Sequence, residues 1–323
     1  MRYRQIPNTS LEPSVIALGT AGLGTRVQGD DAFRLLDYYV ELGGNFIDTA
    51  RVYGDWASDE PAVSEKTIGR WLKQSGLREQ VIIGTKGCHP VVGTSTPRVT
   101  PECLRVDLYG SLESLQVDSI DLYWLHRDDP GLPVGPILEA LEGFRKQGLI
   151  RHYGCSNWSC TRIKEAAEYA RRHGLEGFVA NQMLWSYATL NAGALSDPTL
   201  VPMDQETWNY HKETQLAAVP YSSQAKGFFA GKYGRNVTDP QTRSAKQVMA
   251  LYYNEENFSR LRLAKLIGEK LGSTANDVAL AYLLHQPFPV FPIVGCHTPE
   301  QLAAACRAAD LALPADYLQW LQV

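Results

Sequence analysis

The 323 residues carry 44% hydrophobic and 20% charged side chains and a formal net charge of -4, the make-up of an ordinary globular protein that can bury a sizeable core. So slight an acidic balance points away from nucleic acid and from acidic membrane surfaces as partners. No window approaches about 18 apolar residues, and Met1 to Pro7 lack the apolar core of a signal peptide, so the cytoplasm is the expected compartment.

Residues 1–14, with Pro7-Asn8-Thr9 between short mixed runs, predict an N-terminal hairpin closing one end of the fold. Apolar, β-branched runs then recur at 15–19, 45–49, 81–86, 119–126, 150–155, 178–183, 216–221 and 290–294. Helical spacing fills 31–42, 64–74, 101–115, 136–147 and 161–172. Thr100-Pro101 is a start signal, and Gly43, Gly76, Gly148 and Gly174 are stops. Eight alternating units leave a closed parallel barrel or a doubly wound sheet. The count, and the lack of a Gly-x-Gly-x-x-Gly turn after the first strand, favour a (β/α)8 barrel, a single domain over 1–323. Two connections are longer than one helix needs. Residues 184–215 open on Trp185-Ser186-Tyr187, and residues 222–289 hold a glycine-containing loop and helical patterns at 258–271 and 275–285. Insertions after strands enlarge the catalytic face, so these are the expected lids over substrate and cofactor.

Three strands end in chemistry. The second runs into Asp48 and a loop holding Tyr53, the third into Lys86 and the fourth into His126. Neighbouring parallel strands lie about 5 Å apart, so the four groups can share one pocket. Asp48 alone would read equally well as a helix cap and Tyr53 as loop packing. Three successive strand exits bearing titratable groups are hard to attribute to packing. A lysine ammonium beside a phenol stabilises the phenolate, an aspartate keeps the lysine charged, and a histidine can donate to an oxygen gaining negative charge.

With Asp48-Thr49-Ala50 through Tyr53-Gly54, Thr85-Lys86, Leu125-His126, Gly154-Cys155-Ser156-Asn157, Asn181-Gln182 and Tyr221-Ser222 in this order, the chain resembles the aldo-keto reductase superfamily, in its bacterial and potassium-channel β-subunit-like branch. The resemblance runs from Gly19 to Gln301. It implies a barrel, a catalytic set of Asp48, Tyr53, Lys86 and His126, and hydride transfer between a nicotinamide and a carbonyl or alcohol. Ser156, Asn157 and Gln182 match the residues that hold the carboxamide, and Tyr221 the ring that stacks on the nicotinamide. Gly19, Thr20 and Ala21 match the first loop, Ser222, Ser223, Gln224, Gly227 and Lys232 the loop around the diphosphate, with Arg243 as a basic residue there. Gly295, His297 and Gln301 match the adenosine end.

The departures are informative. Tyr-Ser-Pro-Leu is here Tyr221-Ser222-Ser223-Gln224, and a Tyr three residues after the Gln is Trp185. Arg, Lys or Ser often stands where His297 does, and a Glu-Asn pair where this chain has Ala304-Ala305. A neutral histidine is a poorer partner for a 2'-phosphate than arginine, so NADP(H) is the expected cofactor with NAD(H) kept open.

Trp56, Trp124, Trp158, Trp185, Tyr187 and Trp208 are expected at the catalytic face beside Arg127-Asp128-Asp129, and Trp56, Arg127, Trp158 and Trp185 are the substrate candidates. Aromatic faces beside charged groups suit a sugar-like carbonyl. A second reading on the same resemblance is a cofactor-binding redox sensor or regulatory subunit. A metal hydrolase using His126, Asp128 and Asp129 has too few ligands, and Asp128-Asp129-Pro130 reads as a turn. Six scattered cysteines with no Cys-x-x-Cys pair suggest neither zinc nor disulfides. Nothing in the chain fixes an oligomeric state, and the amphipathic segment 317–323 can cover the barrel or meet a second subunit.

Overall fold

The computed structural model describes residues 1–322. It contains eight strands, β1 (Ala17–Gly19), β2 (Phe46–Asp48), β3 (Ile82–Gly87), β4 (Ile120–Leu125), β5 (Ile150–Ser156), β6 (Ala180–Gln182), β7 (Ala217–Ala218) and β8 (Ile293–Gly295). Helices α1 (Gly29–Glu41), α2 (Val63–Ser75), α3 (Pro101–Leu115), α4 (Val134–Lys146), α5 (Cys160–His173) and α6 (Gln205–Thr214) alternate with the first seven strands. Helices α7 (Arg243–Tyr252), α8 (Glu255–Lys270) and α9 (Ala275–Leu284) separate β7 from β8, and α10 (Pro299–Arg307) and α11 (Ala315–Leu321) follow. Val323, the last residue of the amphipathic 317–323 segment, lies outside the described residues.

All eight expected strands form, in the order β7-β6-β5-β4-β3-β2-β1-β8 with parallel neighbours throughout. A parallel bridge between Ala218 and Val290 joins the two ends of that order, supported by Ala218 N–H donating to Pro289 O at 2.8 Å and Phe291 N–H to Ala218 O at 2.9 Å. The strands closing the ring are shorter than the apolar runs suggest. At β7 the ladder gives way at Pro220, which has no N–H to donate. Of the N-terminal hairpin, the structure has an antiparallel bridge, Tyr3 to Ser14, with Val15 N–H donating to Arg2 O at 2.9 Å, Arg4 N–H to Pro13 O at 3.1 Å and Ile6 N–H to Leu11 O at 3.0 Å, but among the described residues these arms form no regular strand. Ile6 and Leu11 from this segment nevertheless pack with the barrel interior, where they meet Phe46, Leu122 and Trp124.

Side chains alternate between the two faces of a strand, and this period of two sets the site. On β2, Ile47 packs outward with the helices while Phe46 joins the interior, so Asp48 also points inward. The same parity aims Gly84 and Lys86 of β3, Trp124 and then His126 from β4, Gly154 and Ser156 of β5, Gln182 of β6, and Tyr221 after β7 toward the barrel axis. Trp124 fills the barrel beneath them. A Cβ on Gly154 would stand 2.6 Å from Trp124 Cζ3, so glycine is needed there for the indole to fit, and one on Gly84 would press on its Nε1 at 3.0 Å. Trp124 therefore forms the floor of the site within β4, not part of a loop at its mouth. Among the described residues no helix is long and apolar enough to cross a membrane.

Candidate active site

Asp48, Lys86 and Tyr53 meet in one hydrogen-bonded cluster. Lys86 Nζ donates to Asp48 Oδ2 at 2.6 Å, to Thr49 O at 2.7 Å and to Tyr53 Oη at 3.3 Å. Both members of the ion pair are almost wholly buried, an arrangement that costs several kcal/mol in desolvation per ion unless every remaining valence is met. Here it is met: Gln182 Nε2 donates to the other Asp48 oxygen at 2.9 Å, and Thr20, through its N–H and Oγ1, holds the Asp48 carbonyl. Burial works against the Lys86 charge, but Asp48 and Tyr53 outweigh it, so the ammonium holds its proton more tightly than an ordinary lysine. Burial, seconded by the Asp48 charge and opposed by Lys86, raises the Tyr53 pKa and keeps the phenol protonated.

Tyr53 reaches the cluster because the chain turns sharply after it. Gly54 has φ 101, and a Cβ there would stand 2.1 Å from Val63 Cγ1, so only glycine lets the loop dock on α2. Trp56, about half exposed, stands edge-on to the Tyr53 ring at 5.9 Å between ring centres and forms an open wall.

His126 lies edge-on to Tyr53 at 5.8 Å. Its Nδ1 is buried without a partner, whereas its Nε2 is not sealed off. An orphaned buried N–H is the costlier arrangement, so the proton sits on Nε2 and the open side of the ring is a donor. Burial, then His89, Lys86 and Arg127, push its pKa well below the ordinary value and hold it neutral.

Around this centre the carboxamide-binding candidates gather as the barrel parity dictates, but one is already committed. Asn157, at the left-handed φ of 59, donates to His126 O at 3.2 Å and Ser156 Oγ at 3.1 Å. It accepts from Val201 N–H at 3.1 Å and Tyr221 Oη at 2.6 Å. All four valences are used, so Asn157 ties the ends of β4 and β5, the loop after β6 and Tyr221 together. Ser156 keeps a free hydroxyl hydrogen, and Gln182 keeps its carbonyl oxygen.

At the other end of the cleft the chain folds into a run of left-handed conformations: Ser222 (φ 54), Ala225 (φ 47), Lys226 (φ 53) and Gly227 (φ 88). Three of these cost about 1–3 kcal/mol each for lack of glycine. Within it Ala225 N–H donates to Ser222 O and Gly227 N–H to Gln224 O, both at 2.8 Å, while Ser223 N–H and Gln224 N–H have no partner among the described residues and are open to an anion. Ser223 Oγ donates to Ile293 O at 2.6 Å and Gln224 Nε2 to Asn276 Oδ1 at 3.3 Å, so their side chains brace this loop against β8 and α9. Gly19, in register with Asp48 and Gly295, lies where β1, β2 and β8 meet, and Ala21 is exposed just beyond. A Cβ on Gly22 would stand 3.2 Å from His297 Cε1, so the imidazole packs on that backbone. Gln301 Oε1 accepts from His297 N–H at 2.9 Å. Lys232 and Arg243 are exposed further out, Arg243 as the first residue of α7.

Two cations here were not anticipated from the sequence. Arg26 stands on the turn whose N–H groups return to Gly22 O, 2.9 Å from Arg26 N and 3.0 Å from Val27 N. Lys226 is in the left-handed run. Burial and then Arg26 lower the pKa of both Lys226 and His297, and no carboxylate contributes to either. A left-handed loop with two open N–H groups, two cations without an acidic partner among the described residues and a half-buried Tyr221 ring are a donor set suited to a dinucleotide. His89 was also missed. Its ring lies 4.6 Å from that of His126. The signal was present three residues after Lys86, but a loop histidine carries no periodicity.

Several aromatic expectations change. Trp158 is 1% exposed and packs edge-on against Phe178 at 5.0 Å with its Nε1 on Arg127 O, leaving no face for a substrate. Trp185 is half-buried and stacks on Phe288 at 6.1 Å. Tyr187 is buried against Phe229 and Tyr282, and Trp208 lies in α6 bonded to Gln286. Arg127 is buried too. It donates to His126 O at 2.9 Å, Thr199 Oγ1 at 2.7 Å and Asp197 Oδ2 at 3.2 Å, and so anchors the loop after β6. Asp128 is taken by Arg162, 2.9 Å away.

A sequence model of the aldo/keto reductase family matches residues 15–322. The chain is 30% identical over 332 residues to the "Uncharacterized oxidoreductase YrpG" of Bacillus subtilis (strain 168), covering 99% of this chain and 95% of that protein. It is 27% identical over 346 residues to the "Aryl-alcohol dehydrogenase [NADP(+)]" of Phanerodontia chrysosporium, covering 99% and 85%. The solved structure of the thermostable aldo-keto reductase Tm1743 with the inhibitor epalrestat superposes with a TM-score of 0.73 at 21% identity, covering 99% and 98% of the two chains, a likeness of fold.

Proposed function

The chain belongs to the aldo/keto reductase family, and from that membership we propose an NAD(P)-dependent oxidoreductase acting on a carbonyl or alcohol, with Tyr53 as its general acid and base. The observation that carries this reading is the buried Lys86 ammonium, 2.6 Å from Asp48 and 3.3 Å from the Tyr53 hydroxyl. A bound nicotinamide would supply or accept the hydride, which no side chain can do.

In reduction, His126 Nε2–H and the Tyr53 hydroxyl donate to the carbonyl oxygen and polarise it. Tyr53 then releases its proton to that oxygen. The phenolate left behind is stabilised by Lys86, whose charge Asp48 maintains, and it recovers a proton from solvent. In oxidation the same phenolate takes the alcohol proton. Trp124 below and Trp56 at the side limit water around the reacting carbon.

Ser156, Gln182 and Tyr221 would hold the nicotinamide end, with Asn157 contributing if Tyr221 releases it. The left-handed run at 222–227 would cradle the diphosphate, with Lys232 and Arg243 as outlying charges. Arg26, Lys226 and His297 would meet a 2'-phosphate, with Gln301 fixing the His297 loop. These cations favour NADP(H) over NAD(H), because a further phosphate finds charge that no carboxylate among the described residues neutralises. This supplies from the first loop the arginine absent at position 297.

Titration of NADPH and NADH separately, followed by quenching of tryptophan and tyrosine fluorescence, tests the reading. Tighter binding of NADPH and turnover of aldehydes by the wild type but not by Tyr53→Phe are expected. Failure of both nucleotides to bind would overturn it.

A further inference from the structure

Resting on the reductase reading above, we infer that His89 is a substrate-contacting residue that accepts a hydrogen bond from a hydroxyl next to the reacting carbonyl, and that the preferred substrates are hydroxycarbonyl compounds.

The chain spends strain to place His89. Cys88, which carries it off the end of β3, is left-handed at φ 63, a conformation that costs a non-glycine residue about 1–3 kcal/mol and persists only where its surroundings enforce it. The enforcement is visible. Cys88 N–H donates to the buried Asp107 Oδ2 at 2.7 Å, Asp107 pairs with Arg98 at 3.3 Å, and Arg98 Nη1 donates back to His89 O at 2.8 Å. His126 N–H meanwhile donates to Gly87 O at 2.9 Å, binding the two strand ends together. This closed bracket fixes the His89 ring edge-on to His126 at 4.6 Å between ring centres. No hydrogen bond joins the two rings among the described residues.

The tautomer follows from the neighbours. His89 Nδ1 lies 2.7 Å from Pro90 O, a carbonyl that can only accept, so Nδ1 carries the proton and Nε2 is an acceptor. Burial lowers the His89 pKa, with the Pro90 bond opposing and Arg127 assisting, and keeps the ring neutral. Nε2 has no partner among the described residues and is not among the sealed buried atoms. Beside it, His126 offers a donor. A donor and an acceptor side by side fit two oxygens on neighbouring carbons, the carbonyl oxygen taking the His126 proton and the hydroxyl giving its own to His89.

The other side of His89 agrees with this. It lines a cavity of about 440 Å³ with Val52, Asp55, Arg98 and Asp107, to which Tyr53, Lys86 and His126 do not contribute, room for the far end of a substrate of modest size. Its two arginines have partners, Arg51 donating to Ser114 Oγ at 3.3 Å with Glu65 3.7 Å away, and Arg98 pairing with Asp107. It therefore does not call for an anion, and a neutral hydroxylated chain fits better than a phosphate or a carboxylate.

The test compares 2-hydroxypropanal with propanal, which differ only in that hydroxyl, for wild type, His89→Leu and His89→Gln, with NADPH and NADH. The wild type should favour the hydroxyaldehyde in kcat/KM by about tenfold, the scale of one hydrogen bond to a well-placed acceptor. His89→Leu should bring the ratio close to one by losing only the hydroxyaldehyde. His89→Gln, which retains an acceptor, should restore part of the preference. An unchanged ratio in His89→Leu, or an equal loss for both aldehydes, would overturn the inference while leaving the reductase intact. No turnover of either aldehyde with either nucleotide would overturn the reductase reading and this inference with it.

Discussion

The two ends of the cleft handle charge in opposite ways. At the barrel axis Lys86 and Asp48 are paired at 2.6 Å, and Gln182 and Thr49 meet the remaining valences. At the rim Arg26, Lys226 and His297 stand together, and among the described residues the charge acting on both Lys226 and His297 is that of Arg26. A self-satisfied buried cluster is preorganised, so it can act on a reacting oxygen without rearranging. An unneutralised cluster at the surface holds binding energy in reserve for an anion. On the function proposed above, one end would carry the chemistry and the other would capture the nucleotide, and substitutions should separate the two.

The largest separation should come from Tyr53→Phe, which leaves the rim untouched and is expected to lower kcat by about 10²–10⁴-fold while nucleotide affinity measured by fluorescence stays within about twofold. Lys86→Met should go further than activity. It strands Asp48 without its counter-ion, so a loss of about 3–5 kcal/mol in unfolding free energy is expected by denaturant titration. If Lys86→Met were as stable as wild type, the axis would not be the closed unit described here. Arg26→Ala should act only at the rim. NADPH affinity is expected to fall about tenfold, the size of a charge-assisted hydrogen bond, with NADH changed less than about twofold; equal losses for both nucleotides would mean that Arg26 serves the diphosphate or the loop.

The smallest effect is an absence. His126 is held below its ordinary pKa of 6.5 and Tyr53 above its ordinary 10.0. The neutral donor form of each therefore persists across the window, and kcat/KM for reduction should stay flat from about pH 6.5 to about 10. A limb near pH 6.5 would show an imidazole titrating as in water. Glu65, buried beneath Thr85, gives a matching test of stability. Burial raises its pKa from 4.5 to about 7, so between these values the folded chain binds more protons than the unfolded one and stability falls as pH rises. Glu65→Gln should abolish that slope in thermal melts.

The axis was legible in the sequence because it obeys a period. A strand of period two that ends in Asp48, Lys86 or His126 fixes the direction of that side chain once the strand is known, and the same parity delivers Ser156, Gln182 and Tyr221. Asn157 sits at a strand end as expected, but its four bonds join chain segments from 126 to 221, a closure no local pattern announces. The aromatics misled for a similar reason. Trp56 and Trp158 look alike in sequence, yet one is exposed beside Tyr53 and the other is sealed against Phe178.

By itself, then, the sequence determined the eight strands, their alternation with helices and the inward direction of Asp48, Lys86 and His126, since each depends on spacing along one element. Tertiary structure alone decided which cations share the rim, which tryptophans face the cleft and how His89 is held beside His126. Those features arise where loops from different strands meet: His89 and His126 follow β3 and β4, and Arg26 reaches Lys226 and His297 from the other end of the chain. Their proximity follows from closing the barrel, which no local stretch of chain encodes.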